Sequence, residues 1–467
     1  MQAARHASFS KVRMWLSQPG DEQGLKPMRD LDWSANTNPP SSDCAKVHIN
    51  PKVTFQTHIG LGGAFTESAA YNWHQLSPAL REEALRAYFC APLEGGHGYN
   101  LCRVHMNSCD FSLGHYAHVE QEGDVALESF SIARDEQYIL PMIRAAQRIS
   151  AQPLQIVASP WSPPAWMKSN AQMSHGGQLK PEYARAWAMC FVRFIQAYAA
   201  SGVPIWGVTV QNEPQATQVW DSCIYSAQQE RDFIRDHLGP CLHEHGLAHI
   251  HIIGWDHNRD QLVERASALY ADSLAAQYLW GMGFHWYGQD HFEQVQQVHD
   301  AWPDKHLIFT EGCQEKGPHL GEWSLAQRYI RSLIHDLNHW CEGWIDWNLF
   351  LDLQGGPNHV GNFCSAPIHI DAASQTLIYQ SSYWAMGHIS RFVQPGARRI
   401  LAVSGEQEIL STAFINPNGE AVVVLSNSSQ SPKTVSLNLG EASAYFDLPE
   451  QSFCSLLINK SFLTSLN

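Results

Sequence analysis

The chain has 467 residues, 44% of them hydrophobic and 11% aromatic, so a large core can form without disulfides or metals. Lysine and arginine number 30 against 45 aspartate and glutamate residues, which gives a formal net charge of −15. This acidic balance argues against nucleic acid or an anionic membrane surface as the main partner, because both require positive patches.

The N-terminal segment MQAARHASFSKVRMWLSQPG has no continuous apolar stretch, so no secretory signal peptide is predicted. No apolar run reaches the roughly 18 residues needed to cross a bilayer. We therefore expect a cytoplasmic protein, or one exported without a recognisable cleaved signal. The 11 cysteines include no C-x-x-C pair and favour reduced, buried thiols over a disulfide framework.

Short apolar runs typical of β-strands recur from residue 58 to residue 349, and amphipathic stretches separate them. Helix start signals are present at Ser77 with Pro78 and at Pro181, and residues 324–340 repeat with a helical period. Eight strands alternating with helices over roughly 290 residues predict a (β/α)8 TIM barrel. The eight runs are HIGLGGAF (58–65), NLCRVHMNS (100–108), LQIVASPW (154–161), IWGVTVQNE (205–213), HIIGWDHN (251–258), GMGFHWYG (281–288), HLIFTEG (306–312) and CEGWIDWNL (341–349).

From about Arg391 the pattern changes to short strands, among them AFINPNGEAVVVLSN with Asn-Pro-Asn-Gly as a hairpin turn. The segment KVHINPKVTFQTH near the start can complete the same domain. We predict that residues 1–57 contribute strands to an antiparallel β-sandwich, that residues 58–390 form the barrel, and that residues 391–467 form the C-terminal β-sandwich domain.

Acidic residues stand at the ends of several predicted strands, where a barrel carries its active site. Taken singly, such an acid is most often a cap or an ion-pair partner. Glu213 at the fourth strand and Glu311 at the seventh differ, because two carboxylates across a barrel mouth can cleave a glycosidic bond. Asn212, beside Glu213, offers a neutral donor for a sugar hydroxyl. The other strand-end acids are Glu67, Asp110, Asp256, and Asp346 or Asp352.

The chain resembles glycoside hydrolase family 30, and within it the glucosylceramidase-like branch. The resemblance rests on RVHMNSCDFSLG, ASPWSPPAWMK, VQNEP, FHWYG and LIFTEGC, which follow one another in this order. It implies a retaining β-glycosidase on a (β/α)8 barrel, with an attached β-sandwich built from both chain ends.

The resemblance also implies roles for individual residues. Glu213 corresponds to the acid/base and Glu311 to the nucleophile. Asp110 and Trp161 correspond to residues that hold the outer hydroxyls of the terminal sugar, and Trp347 to a sugar platform. The remaining matches surround the carboxylates or lie at the pocket mouth, namely Arg103, His285, Tyr287 and Asn362. No metal or cofactor is expected, and the histidine-rich segment 243–251 lacks H-E-x-x-H.

Two segments depart from the branch. His359 stands where the branch has a tryptophan, and CQEKGPHLGEWS after Glu311 differs in length and composition. Both are entrance loops, so the group beyond the scissile bond stays open. We expect a β-glucosidase able to take glucosylceramide, with a β-1,6-glucanase as the alternative within the family. A non-catalytic carbohydrate-binding protein is the alternative from another class, and the presence of both glutamates argues against it. The oligomeric state is not predicted.

Overall fold

The structure is a computed structural model that describes residues 11–21, 23–35 and 44–465. These residues form two compact units. The barrel unit comprises Leu61–Leu320 and Gly343–Tyr379, and the sandwich unit comprises the described parts of Met1–Gly60, Gly321–Glu342 and Gln380–Asn467. The boundaries predicted at residues 57 and 390 stay predictions.

The barrel strands are parallel and close into a ring in chain order, with the eighth strand beside the first. This confirms the predicted (β/α)8 barrel: seven of the eight apolar runs contain one strand, and the sixth run overlaps a strand that begins two residues earlier, at Leu279. Most strand residues are buried, as the continuous apolar runs of a parallel sheet require. In order, the strands are Gly60–Phe65, Leu101–Met106, Gln155–Pro160, Gly207–Thr209, His251–Asn258, Leu279–His285, His306–Glu311 and Gly343–Asn348.

The fourth strand is shorter than predicted, since it ends at Thr209 and Glu213 lies in the turn that follows. The neighbouring fifth strand is also irregular, since its pairing with the sixth strand shifts register between Trp255 and His257. Trp255 and Asp256 have φ values of 69° and 58°, and Glu213 has a φ of 47°. Backbone in this left-handed region is costly for non-glycine residues and clusters at functional sites.

The helix signals are confirmed in the structure. Pro78–Phe89 begins directly after Ser77 with proline in its first turn. Pro181–Tyr183 is a single 3₁₀ turn that continues as the helix Ala184–Ala200. The other α-helices of the barrel unit are Glu67–His74, Ile139–Ile149, Ala227–Phe233, Gly239–Glu244, Leu262–Tyr270, Ser273–Ala276 and Phe292–Ala301.

A small three-stranded sheet follows the eighth barrel strand. Its strands are Phe350–Asp352, Ile368–Asp371 and Thr376–Tyr379. The long connection between the first two, residues 353–367, forms an entrance loop that carries Asn358, His359 and Asn362. The sheet therefore fixes both ends of a loop that reaches the site described below.

The sandwich unit contains one eleven-stranded sheet built from both ends of the chain. Ala45–Thr57 lies between Arg398–Ser404 and Lys433–Leu439, and Lys11–Ser17 pairs with Phe453–Ile458. Buried side chains from distant strands, such as Val12 and Leu437, belong to one apolar core, so the sheet folds over as a sandwich. Its other strands are Lys26–Pro27, Leu31–Asp32, Ser34–Ala35, Ile409–Ile415, Ala421–Asn427, Ala442–Leu448, and the helices of this unit are Ser324–Asn338, Ser381–Ser390 and Lys460–Ser465.

The predicted hairpin turn is present between Ile409–Ile415 and Ala421–Asn427, where the amide of Gly419 donates to the carbonyl of Asn416. All 11 cysteines are buried and free. Within the described part of the chain, no helix combines the length and the apolar character that crossing a bilayer demands.

Candidate active site

A cavity of about 220 Å³ opens where the barrel strands end. Eight of the ten site residues predicted from the sequence line it, and the other two, Arg103 and His285, are fully buried and contact its carboxylates. The structure therefore brings all ten together. The lining residues are Asp110, Trp161, Asn212, Glu213, Gln218, Trp220, His257, Asn258, Tyr287, Glu311, Cys313, Glu315, Trp347, Asn362 and Cys364.

Arg103, on the second barrel strand, is the centre of the polar network. Its Nη1 donates to Oε2 of Glu311 at 2.5 Å. Its Nη2 donates to Oδ2 of Asp256 at 2.7 Å and to Oδ1 of Asn212 at 2.9 Å, and its Nε donates to Oγ of Ser159 at 2.9 Å. Because Oδ1 of Asn212 accepts from arginine, the amide nitrogen of Asn212 is the group left to face a ligand.

Glu311 ends the seventh strand, and donors hold both of its carboxylate oxygens. Arg103 occupies Oε2, and the Tyr287 hydroxyl donates to Oε1 at 2.9 Å. The Tyr287 hydroxyl also lies 3.4 Å from Sγ of Cys313. Charge-assisted hydrogen bonds from two sides fix the orientation of this carboxylate.

Glu213 has looser contacts. Its Oε1 lies 3.4 Å from Nδ1 of His285 and 3.9 Å from Nε2 of His257, while its backbone amide donates to the carbonyl of Asp256 at 3.0 Å. One oxygen of Glu213 and one of Glu311 lie within 4.8 Å of each other. The two carboxylates therefore face each other across the pocket.

Burial and the surrounding charges move the pKa values of this cluster in different directions. Burial raises the pKa of Glu311, although His285 and Arg103 oppose it. Burial acts in the same way on Glu213, but the charge of His257 and the hydrogen bond with His285 outweigh it and lower the pKa of Glu213. Burial would lower the pKa of His285, but the neighbouring carboxylates raise it to about 9. In the free protein, the histidines therefore favour the ionised form of Glu213, whereas burial favours the protonated form of Glu311.

Asp110 follows the second strand and is held by two amides of the entrance loop. Asn358 Nδ2 and Asn362 Nδ2 donate to its Oδ2 at 3.2 Å and 3.0 Å. Burial raises the pKa of Asp110 to about 7, against these hydrogen bonds and with help from the charges of Glu311 and Glu213. Asp110 therefore titrates near neutral pH.

Trp161 and Trp347 form an aromatic wall beside the carboxylates. Their ring centroids are 5.0 Å apart and their planes differ by 18°. The guanidinium carbon of Arg103 lies 4.7 Å from the Trp161 ring and 5.5 Å from the Trp347 ring. Flat apolar faces next to fixed carboxylates suit a sugar ring, which presents C–H groups on its faces and hydroxyls at its edge.

Sequence reasoning missed several residues of the site. Asp256 appeared as a strand-end acid, but its ion pair with Arg103 and its hydrogen bond with Nε2 of His285 link residues far apart in the chain. These partners, against the effect of burial, lower the pKa of Asp256 well below its usual range. His257, near the end of the fifth strand, and Trp220, after the fourth strand, gave no signal in the sequence beyond these positions.

Glu213, His285 and Glu311 are the groups at this site that could hold a metal, since they offer ligand atoms within 4.8 Å of one another. The Arg103 guanidinium bonded to Glu311 would oppose a second cation there. The arrangement suits proton transfer and carboxylate attack better than metal binding.

Two facing carboxylates at the mouth of a (β/α)8 barrel, beside a tryptophan wall, define a glycoside hydrolase. Residues 59–393 match the glycosyl hydrolase family 30 TIM-barrel domain, and residues 396–456 match the glycosyl hydrolase family 30 beta sandwich domain. The chain belongs to glycosyl hydrolase family 30.

Three similar proteins align with most of the chain. Lysosomal acid glucosylceramidase of Mus musculus is 34% identical over 409 residues, which cover 83% of this chain and 78% of that protein. The crystal structure of SrfJ from Salmonella typhimurium has a TM-score of 0.90 and 36% identity, and the match covers 96% of this chain and 99% of that chain. A solved endo-β1,6-glucanase has a TM-score of 0.86 and 30% identity, with 96% and 100% covered.

Proposed function

We propose that this glycoside hydrolase releases terminal β-linked glucose with retention of configuration, by a two-glutamate double displacement. The observation that carries the proposal is the approach of Glu213 and Glu311 to within 4.8 Å of each other. Retaining enzymes place their carboxyl groups ~5–5.5 Å apart, whereas inverting enzymes leave ~6.5–9.5 Å to accommodate a water molecule.

Glu311 serves as the nucleophile in this proposal. Both of its oxygens accept hydrogen bonds, one from the Arg103 guanidinium, which stays charged at any relevant pH. In the first step an oxygen of Glu311 bonds to the anomeric carbon as the glycosidic C–O bond breaks. In the second step water attacks the same carbon and the bond to Glu311 breaks.

Glu213 serves as the acid and then the base. It gives a proton to the leaving oxygen in the first step and takes one from the attacking water in the second. In the free protein its pKa is lowered, the reverse of what a proton donor needs. We keep the roles that the family resemblance implies, because Arg103 and Tyr287 donate to both oxygens of Glu311 and positive charge developing at the anomeric carbon favours its ionised form. A proton on Nδ1 of His285, 3.4 Å away, can then pass to Glu213.

The glucose binds against Trp161 and Trp347, and Asp110 accepts hydrogen bonds from its outer hydroxyls. Asn358 and Asn362 hold Asp110 in place and bring the entrance loop across that side of the pocket. A cavity of about 220 Å³ lies below the ~300–1,000 Å³ of drug-sized ligand sites and suits one sugar ring. These features favour cleavage from the non-reducing end, and the glucosylceramidase relative favours glucosylceramide as a substrate.

An endo-β-1,6-glucanase is the second candidate, and one observation favours it. The structural similarity to an endo-β1,6-glucanase extends over 96% of this chain. The side of the pocket formed by Gln218, Trp220 and Glu315 offers polar and aromatic groups to a further sugar. The group beyond the scissile bond therefore distinguishes the two candidates.

Two measurements test the proposal. Proton NMR of the sugar first released from an aryl β-glucoside should show the β-anomer, and an α-anomer would exclude retention. Rates on glucosylceramide, gentiobiose and longer β-1,6-glucan at equal enzyme concentration decide the substrate. Rates that rise steeply with glucan length while glucosylceramide stays intact would reject the first candidate and leave the two-glutamate mechanism unaffected.

A further inference from the structure

Three residues outside the sugar pocket meet although they are far apart in the sequence. His115 follows the second barrel strand, Asp221 follows the fourth, and His359 lies in the entrance loop after the eighth. Each offers one ligand atom, and the three atoms all lie within 4.8 Å of one another. Two imidazoles and a carboxylate thus come together from three separate loops. We call them the loop triad.

The contacts within the loop triad are direct. Nδ1 of His115 lies 2.9 Å from Oδ1 of Asp221, and the ring centroids of His115 and His359 are 4.5 Å apart. Nδ1 of His359 lies 3.0 Å from the carbonyl oxygen of Ser112. Because a carbonyl can only accept, Nδ1 of His359 carries the proton, and its Nε2 presents a lone pair. Histidine ligands of metal ions are commonly oriented in this way by a backbone carbonyl.

Two polar atoms of the loop triad are buried without a hydrogen-bond partner among the described residues. They are Oδ2 of Asp221 and Nε2 of His359. The Asp221 side chain has no solvent-exposed surface, whereas 46% of the His115 side chain is exposed. An unpaired acceptor that is buried costs about 1–3 kcal/mol. Both unpaired atoms are electron-pair donors, so a cation would satisfy them together where a hydrogen bond between them could not.

We propose that the loop triad binds one divalent transition-metal ion of the Zn²⁺ class. Two imidazole nitrogens and a carboxylate oxygen are ligands that suit Zn²⁺, and three protein ligands leave a fourth position for water. Tetrahedral bonds of ~2.0–2.1 Å place ligand atoms about 3.4 Å apart, so the 2.9 Å contact between His115 and Asp221 has to lengthen while wider separations, up to 4.8 Å, have to shorten. His115 is half-exposed and can make that adjustment. This departs from the expectation that the chain holds no metal.

The ion would join three loops of the barrel mouth. The backbone amide of His359 donates to the carbonyl oxygen of Asp110 at 3.3 Å, and the neighbouring Asn358 and Asn362 hold the Asp110 carboxylate. Metal binding would therefore fix the entrance loop against the sugar pocket. The proposal does not depend on the roles of Glu213 and Glu311, and its test needs no substrate.

The test is calorimetric titration of ZnCl₂ into the full chain after dialysis against EDTA. We expect one equivalent to bind, and we expect His115→Ala and His359→Ala each to weaken binding about 100-fold or more, because each removes a ligand. The matched control is the double variant His243→Ala/His249→Ala, which removes two exposed histidines from the histidine-rich segment 243–251. This variant should bind Zn²⁺ as the wild type does. Co²⁺ substitution should give visible absorption bands that the two triad variants lose.

Three results would overturn the proposal. One is the absence of Zn²⁺ binding to the wild type at micromolar concentrations. Another is equal binding by the wild type and by a His115→Ala protein with an unchanged circular dichroism spectrum. The last is loss of the binding in the His243→Ala/His249→Ala control. In each case the triad is an ion pair between His115 and Asp221 with His359 beside it. Since His115 is exposed, its replacement leaves the fold intact.

Discussion

Arg103 and Glu311 form an ion pair that is almost completely removed from solvent, with no exposed surface on the arginine and 7% on the glutamate side chain. The same guanidinium also holds Asp256 and Asn212. One side chain thus sets the positions of a reacting carboxylate and of two of its neighbours.

Arg103→Lys should lower kcat for an aryl β-glucoside by about 100-fold or more, because an ammonium group cannot reproduce the planar set of four contacts. The melting temperature should also fall, because lysine cannot satisfy all the buried acceptors that the guanidinium holds. Steady-state kinetics and thermal denaturation measure the two effects. Arg144→Lys, at a partly exposed pair with Glu136, is the control and should change neither. Nearly wild-type kcat in Arg103→Lys would mean that Glu311 does not depend on this contact.

Substitutions of Glu311 and Glu213 should impair activity in different ways. Glu311→Gln replaces the nucleophilic carboxylate by a neutral amide, so activity should vanish and azide should not restore a retained product. Glu213→Ala leaves the nucleophile in place, so substrates with a good leaving group should still form the covalent intermediate, and azide should accelerate its breakdown. Activity assays with and without azide, with NMR of the glycosyl azide, separate the two outcomes. The opposite pattern would exchange the two roles.

The pH dependence of kcat/KM should report Asp110. Its pKa is raised to about 7, mainly by burial, so it is ionised and able to accept sugar hydroxyls above that pH. We therefore expect kcat/KM to fall as the pH drops through about 7, since this quantity reports groups of the free enzyme. Asp110→Asn should be slower, and its profile should lack that limb. If kcat/KM of Asp110→Asn still falls below pH 7 as in the wild type, the fall reports the protonation of another group, and Glu311 is the next candidate.

A fourth prediction concerns stability in the sandwich unit. His388 lies between the hydroxyls of Ser17 and Ser455, and burial lowers its pKa to about 3. Below about pH 6.5 the unfolded chain binds a proton at His388, while the folded protein does not. The contribution of His388 to the free energy of unfolding is therefore fully present above pH 6.5 and declines below it. The loss from this residue is about 2 kcal/mol at pH 5.

Thermal denaturation at pH 7.5 and pH 5 tests this prediction. The melting temperature of the wild type should fall more between the two pH values than that of His388→Gln. Replacement of the exposed His249 by Gln is the control and should leave the pH dependence of the wild type. Parallel changes in all three proteins would show that His388 is not the source.

Much of the barrel could be predicted because its signals are local. Each strand is a short apolar run, and each run ends at the rim where the reacting groups stand, so Glu213 and Glu311 could be placed in one pocket without coordinates. The turn after the fourth strand could not be predicted, because the amide of Glu213 in that turn donates to the carbonyl of Asp256, which lies in the neighbouring strand and is distant in sequence.

The polar network around Arg103 and the loop triad lay beyond sequence reasoning for the same reason. Asp256 contacts Arg103 across 153 residues, and His115 meets Asp221 across 106 residues. No spacing rule covers such pairs, since metal-ligand patterns read from a sequence rely on ligands a few residues apart. Their partners become evident only when the barrel closes and brings its loops together.

The pairing of Lys11–Ser17 with Phe453–Ile458 has a consequence for biosynthesis. Val12 and its partner Ile458 lie far apart in the chain, so Ile458 is synthesised long after Val12 has left the ribosome. At roughly 5–20 residues per second, the first strand waits about 20–90 s for its neighbour. During that interval its alternating apolar residues and open strand edge are available to other chains. The nascent protein thus depends on protection of Lys11–Ser17 until Phe453–Ile458 emerges, whereas the barrel strands, which pair in sequential order, can assemble as they are made.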